Sequence, residues 1–280
     1  MIEGLRAPTY SEAFKERIAN FVEGDSASRS DAVTLELSVR LGYALDFLIA
    51  CQEYFPIGGQ RFLEIGSGSG NVATAAVAMG ADVTAIDIMQ ECLDLTELRL
   101  EEHGFSATIF RHDIREPAPS LAPGTYDFVF CYQVLEHLPR DGQFHALKNL
   151  FDLVSPGGHL FIDTENALCA FDRHDTQLWM PRVLREGYLL SLAKTFGRSL
   201  NYYEPSFGRT IDLHEYLTYD EIVGAAAVMG FEVRNAFMPH RDSRQFARAM
   251  TGSDWLYDEV LKYFAFEKFS PVALLLQKRR

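Results

Sequence analysis

Residues 61–87 read Arg61-Phe62-Leu63-Glu64-Ile65, then Gly66-Ser67-Gly68-Ser69-Gly70-Asn71, then an apolar run to Met79, then Gly80-Ala81-Asp82-Val83-Thr84-Ala85-Ile86-Asp87. A short apolar strand enters a glycine loop, the loop opens a helix, and a second apolar strand ends on an acid. That order specifies the first half of a doubly wound α/β sheet, in which the crevice beyond the strand ends takes a nucleotide-like ligand. Asp87 follows Gly66 by 21 positions, where an acid that grips ribose hydroxyls is expected.

Two details narrow the ligand. The glycines at 66, 68 and 70 form a G-x-G-x-G run, and Asn71 stands where the dinucleotide fingerprint needs its third Gly or Ala. Glu64, at the end of the first strand, would repel a pyrophosphate, because like charges in a low-dielectric crevice oppose each other. It suits a ligand carrying ammonium and sulfonium groups. At Glu64-Ile65-Gly66-Ser67-Gly68-Ser69-Gly70 the chain resembles the class I S-adenosylmethionine-dependent methyltransferases, whose first motif is E/D-x-G-x-G-x-G at the end of strand one.

The resemblance implies S-adenosylmethionine as cofactor, with S-adenosylhomocysteine as its product. It assigns the cofactor to Glu64, Gly66, Ser67, Gly68, Asp87, Ile88, Asp113, Ile114 and Gln133. Glu64 would meet the amino-acid end, Asp87 both ribose hydroxyls, and Asp113 the adenine amino group. Gly66 and Gly68 let the backbone approach the ligand with no Cβ in the way. Each acid also has a plain structural use: Asp87 can cap the helix after it and Asp113 a turn before Ile114.

The rest of the chain alternates in the same sense. Helices are expected over residues 10–22 and 31–54, the second with Leu37, Leu41, Ala44, Leu45 and Leu48 at helical spacing. Strands follow at 61–65, 82–87, 106–110, 126–132 and 159–163, with helices at 70–79, 88–103 and 141–154. A helix at 218–229, a strand at 231–238, a helical segment at 254–266 and a strand at 271–276 close the chain. This predicts a Rossmann-like doubly wound sheet of seven strands, parallel except for one antiparallel strand near the C-terminus. The division is an N-terminal helical segment over residues 1–58 and a methyltransferase domain over 59–280. Cap insertions fall at about 165–210, read as helical and without a strand pattern, and at about 240–268.

After strand four comes Cys131-Tyr132-Gln133-Val134-Leu135-Glu136-His137-Leu138-Pro139. It resembles the V-L-E-H-L stretch of the metabolite methyltransferase branch, where amino-methylating DNA enzymes carry D/N/S-P-P-Y. In two branches, the ubiquinone-pathway O-methyltransferases and the small-RNA 2′-O-methyltransferases, the stretch is E-x-x-E-H and supplies metal ligands. Here Gln133 replaces the first acid, and an amide oxygen is a poorer ligand for a hard divalent ion, so no metal is expected. His137 is the first candidate for a general base, since an imidazole accepts a hydroxyl proton near neutral pH. His174 and His214 are the second and third. Arg173, Trp179, Tyr202 and Tyr203 are candidates for the acceptor pocket.

Composition sets the remaining bounds. Twenty-six Lys and Arg against 39 Asp and Glu give a net charge of −13, and without a basic patch a nucleic-acid substrate is disfavoured. Cys51, Cys92, Cys131 and Cys169 form no CxxC pair and read as reduced core thiols of a cytoplasmic protein. No secretory signal and no membrane span is read in the sequence. The expected function is methyl transfer to a small or medium metabolite, at a hydroxyl or carboxyl oxygen of a natural-product, sugar or lipid-linked acceptor. The rival readings are N- or C-methylation, a protein or RNA methyltransferase, and a non-catalytic nucleotide-binding partner subunit. The oligomeric state is not readable.

Overall fold

The structure is a computed structural model that describes residues 5–6, 8–22, 26–117, 120–169, 201–204, 209–212, 216–263 and 266–280. Three helices, α1 (Glu12–Phe21), α2 (Ser26–Ser38) and α3 (Arg40–Cys51), precede the sheet. Then come β1 (Arg61–Ile65), α4 (Asn71–Ala78), β2 (Asp82–Asp87), α5 (Gln90–Glu102), β3 (Thr108–Arg111) and β4 (Tyr126–Tyr132). A 3-10 turn, Leu135–His137, leads to α6 (Arg140–Leu153) and β5 (Val154–Thr164). Beyond it are β6 (Asn201–Glu204), β7 (Arg209–Asp212), α7 (Tyr219–Val228), β8 (Phe231–Asn235), α8 (Ser243–Thr251), α9 (Trp255–Glu259) and β9 (Val272–Lys278).

Seven strands share one sheet in the order β3-β2-β1-β4-β5-β9-β8. The order reverses after β1, and β9 alone runs against its neighbours β5 and β8. The expected fold class is the observed one.

The chain divides into two compact units. One runs to Asp113 and takes in Thr125–Phe130. In it β1 pairs with β2 and β2 with β3, all parallel. Tyr10, Phe14 and Ile18 pack on Leu95 of α5, so the N-terminal helices are seated on the same layer that carries the glycine loop. Phe62 and Phe128 meet edge to face at 5.1 Å and fill the layer beneath β1. The other unit comprises Ile114–Gly124 and Cys131–Arg280. There β5 pairs with β9 from His159↔Gln277 to Thr164↔Val272, and β9 with β8 across a bulge at Val233/Asn235. Lys278 Nζ donates to the carbonyls of Phe151 and Val154 at 3.0 and 2.9 Å, closing the end of α6.

Four expectations shift. The helix expected over 31–54 is two helices, broken at Val39, whose φ of −121° leaves the helical region. Pro156-Gly157-Gly158 does not delay β5, which begins at Val154; Gly157 carries the left-handed φ of +80° that the bend needs. β8 ends at Asn235, where the bulge disturbs its pairing with β9. Residues 165–210 were expected to hold no strand, yet Asn201–Glu204 and Arg209–Asp212 form an antiparallel pair.

Candidate functional site

The first group lies in the unit built on β1–β3. Gly66 N–H and Ser67 N–H donate to Ile86 O at 2.9 and 3.2 Å, which ties the glycine loop across the mouth of β2. Gly66, Gly68 and Gly70 have φ of +75°, +52° and +78°, a region L side chains rarely adopt. Two of these glycines have different work. A Cβ at Gly68 would meet nothing within 4 Å, so that face of the loop is open. A Cβ at Gly70 would stand 2.7 Å from Thr96 Cα, so Gly70 is required for α4 to pack on α5.

Asp87 ends β2 and is buried. Its Oδ2 accepts from Gly68 N–H at 3.1 Å and its Oδ1 from Met89 N–H at 2.9 Å, so the carboxylate braces the loop and starts α5. Burial raises its pKa, and the N–H donors of Met89 and Gly68 partly restore the charged form. Glu64 is 3% exposed. Burial lifts its pKa well above the usual carboxylate range; a bond from Ala73 N–H, in the first turn of α4, lowers it, and Asp87 raises it further. Glu64 Oε2 is buried with no hydrogen-bond partner. A donor, above all a cationic one, is what this oxygen lacks.

The other assigned residues of this unit fall as follows. Ser67 is 4% exposed, with its Oγ 3.0 Å from Thr96 Oγ1, so its side chain serves the protein interior. Ile88 follows Asp87, and its carbonyl accepts from Arg111 Nε at 2.8 Å. His112 N–H donates to Asp87 O at 3.0 Å, which sets Asp113 just beyond the end of β3, beside the end of β2. Glu64, the glycine loop, Asp87 and Asp113 are therefore gathered at one end of three neighbouring strands.

The second group lies in the unit built on β5, β8 and β9. Ile114 is buried, and its carbonyl accepts from Asn149 Nδ2 at 2.7 Å. Gln133 has φ of +52°, the one non-glycine with a left-handed backbone among the described residues. It is locked there by its N–H, which donates to Asp163 O at 2.8 Å. Strain of this kind persists where the surroundings over-determine the backbone, and it clusters at ligand-binding positions. The next turn is held in place by Thr164 Oγ1, which donates to the buried Glu136 Oε2 at 2.8 Å. His137, partly exposed, closes the turn with its N–H on Val134 O at 3.2 Å. Arg140 extends the anchorage, donating Nη1 to Tyr216 O at 2.9 Å and pairing with Glu221.

His174, His214, Arg173 and Trp179 lie outside the described residues; Tyr202 and Tyr203 are placed only as backbone in β6. Among the described residues no group of three or more His, Cys, Asp or Glu is arranged to hold a metal ion. No helix among them is long and apolar enough to cross a membrane. All four cysteines are buried free thiols.

A methyltransferase-domain family model matches residues 40–251, which include the whole glycine loop, Asp87 and the turn after β4. The chain belongs to the class I S-adenosylmethionine-dependent methyltransferases. Among curated relatives, a ubiquinone biosynthesis O-methyltransferase of Pectobacterium carotovorum is 32% identical over 154 residues, 55% of this chain and 58% of that protein. One of the same name from Vibrio parahaemolyticus is 36% identical over 108 residues, 39% of this chain and 45% of its own length. The chain thus spans about half the length of the curated relatives it matches. The magnesium protoporphyrin IX methyltransferase of Synechocystis, solved with bound SAH, has the same fold with a TM-score of 0.54, at 16% identity over 95% of both chains.

The family's cofactor is S-adenosylmethionine, and the first group of residues fits it. Glu64 Oε2, buried and without a hydrogen-bond partner, would accept from an ammonium such as the cofactor carries. The loop is bare of a side chain at Gly68, and the space there would admit a ligand beside the backbone.

Three residues that hydrogen-bond the glycine loop were not found by motif reading: Glu36 through Ser69 Oγ, Arg99 through Ser69 O and Thr96 through Ser67 Oγ. Arg99 left a signal. It occupies the stripe of Cys92, Leu95 and Thr96 on α5, a core position where an arginine needs an explanation.

Proposed function

We propose that this chain transfers the methyl group of S-adenosylmethionine to an oxygen of a small or medium organic acceptor. The acceptor group is a hydroxyl or carboxyl on a natural-product, sugar or lipid-linked molecule. The observation that carries the reading is the buried carboxyl of Glu64, with one oxygen unpartnered, at the same strand ends as the glycine loop and Asp87. The O-methyltransferase names of the partial relatives support oxygen as the target.

The cofactor supplies an already activated methyl group, so the protein's task is binding, orientation and proton handling. Glu64 receives the ammonium end. Asp87, fixed by Gly68 and Met89, receives the ribose hydroxyls, and Asp113 the adenine amino group. His137 takes the proton that the acceptor hydroxyl loses, an imidazole's ordinary work near neutral pH. His174 and His214 are the alternative bases, and Arg173, Trp179, Tyr202 and Tyr203 the acceptor contacts. The reaction proceeds without a metal in this reading, because Gln133 offers an amide where a hard divalent ion needs a charged oxygen.

The test is transfer of label from methyl-labelled S-adenosylmethionine to a panel of hydroxyaryl, sugar and carboxylate acceptors, with and without EDTA. Labelled methyl ether or ester, formed equally in both arms, is the expected product. Label on nitrogen or carbon alone would overturn the choice of oxygen. Activity lost with EDTA and restored by Mg²⁺ would overturn the metal-free reading.

A further inference from the structure

The serines of the glycine loop face away from its open side. Ser69 is 5% exposed, and its hydroxyl donates to Glu36 Oε2 at 2.6 Å, while Asn71 Nδ2 donates to the same oxygen at 3.1 Å. Glu36, on α2, is itself 5% exposed, and its Oε1 meets Arg40 at 2.5 Å. Arg99, on α5, has no exposed surface. It donates Nε to Ser69 O at 2.6 Å and Nη1 to Tyr10 Oη at 2.6 Å, and lies 3.7 Å from Glu36 Oε2. Its guanidinium sits 5.3 Å from the Tyr10 ring centroid and 5.0 Å from that of Phe14. One buried network therefore links the chain before α1, α1 itself, α2 and α5 to the back of the loop.

We propose that Glu36 and Arg99 are positioning residues for the cofactor: through Ser69 and Asn71 they hold the glycine loop in the shape that accepts it. The inference rests on the methyltransferase reading above. A loop with three glycines in five residues has little intrinsic preference for one conformation. Its open face must be shaped from behind, and this network does that. When an anchor is lost, the competent fraction of the loop falls and the apparent Kd rises in proportion. Arg99 is suited to the task because its planar fork reaches Ser69 and Tyr10 at once, which a lysine cannot do.

A buried ion pair that merely held the N-terminal helices would affect melting and leave affinity alone. The experiment is a calorimetric titration of S-adenosylhomocysteine into full-length wild type, Glu36→Gln, Ser69→Ala and the double variant. Phe231→Leu, a core change in the other unit, controls for general loss of stability. Arg99→Lys is a second probe of the same network. Each of Glu36→Gln, Ser69→Ala and Arg99→Lys is expected to raise Kd about tenfold or more, on the scale of a hydrogen bond to a charged group. The Glu36→Gln/Ser69→Ala double is expected to fall well short of the product of the two singles, because both perturb the Ser69–Glu36 bond. Phe231→Leu should keep wild-type Kd while melting lower. Singles with wild-type Kd, or a double whose effects multiply, overturn the inference. A folded wild type that binds no S-adenosylhomocysteine overturns both this inference and the reading on which it rests.

Discussion

His159 gives the fold a pH dependence whose sign and size follow from its surroundings. It stands in β5, 6% exposed, opposite Gln277. Burial, and then the charge of Arg234, lower its pKa from 6.5 to about 4. In the unfolded chain it titrates near 6.5. Between pH 4 and 6.5 the native state therefore binds fewer protons than the unfolded state, and stability rises with pH across that window. The contribution is complete above about pH 7, begins to fall as pH drops through 6.5, and is gone by about pH 4. At about 1.4 kcal/mol per pH unit the gap sets a ceiling of about 3 kcal/mol. Arg234 is half exposed and pairs with Glu232 at 3.1 Å, so solvent and that carboxylate screen part of its effect, and about 2 kcal/mol is the expected loss. Glu64 and Asp87, with raised pKa values, act in the opposite sense, so the assay is a difference: urea midpoints from pH 4 to 8 for wild type and His159→Gln. The variant should lose the component of the slope that lies between pH 4 and 6.5. Parallel curves for the two proteins would refute the assignment. The consequence reaches the second group of site residues, because β5 also carries Asp163 and Thr164, which hold Gln133 and Glu136.

Three further outcomes test the site. Asp87→Ala should weaken S-adenosylhomocysteine binding by about 1.5–3 kcal/mol, the scale of hydrogen bonds to a charged group; unchanged affinity by calorimetry sinks the ribose assignment. A cation that settles against Glu64 displaces the proton that its raised pKa retains in the ligand-free protein. Affinity should therefore climb with pH toward the raised pKa of the ligand-free carboxyl and level off once that carboxyl is ionised, and Glu64→Gln should bind weakly with a flatter profile; equal profiles would remove Glu64 from the ammonium. His137→Ala should lower turnover by about 10²–10⁴ with cofactor affinity near wild type; retained turnover in single-turnover assays would pass the base role to another group.

What the sequence discloses is what local spacing encodes. The strand, glycine loop and acid over residues 61–87 are contiguous, so the fold class, the open face at Gly68 and the place of Asp87 were all legible there. Glu36 was not, because an acid on α2 reads as an ordinary solvent-facing residue until tertiary packing closes over it. Arg99 was half legible: its place on the apolar stripe of α5 was visible, and its partners, 89 residues away at Tyr10 and 30 away at Ser69, were not. The left-handed backbone of Gln133 is held by its bond to Asp163, a contact from the turn after β4 to β5 that no local pattern announces. The β6–β7 pair did leave a trace: two short β-prone runs flank Pro205-Ser206-Phe207-Gly208, a turn composition that short length allowed to pass as irregular chain.

The most direct test of the central claim is calorimetry on the full-length wild type with S-adenosylhomocysteine and, in parallel, NAD. Glu64, with its unpartnered oxygen, and the G-x-G-x-G loop predict one-to-one binding of S-adenosylhomocysteine and no heat of binding from NAD. A folded protein that binds NAD, or that ignores S-adenosylhomocysteine, would contradict the account.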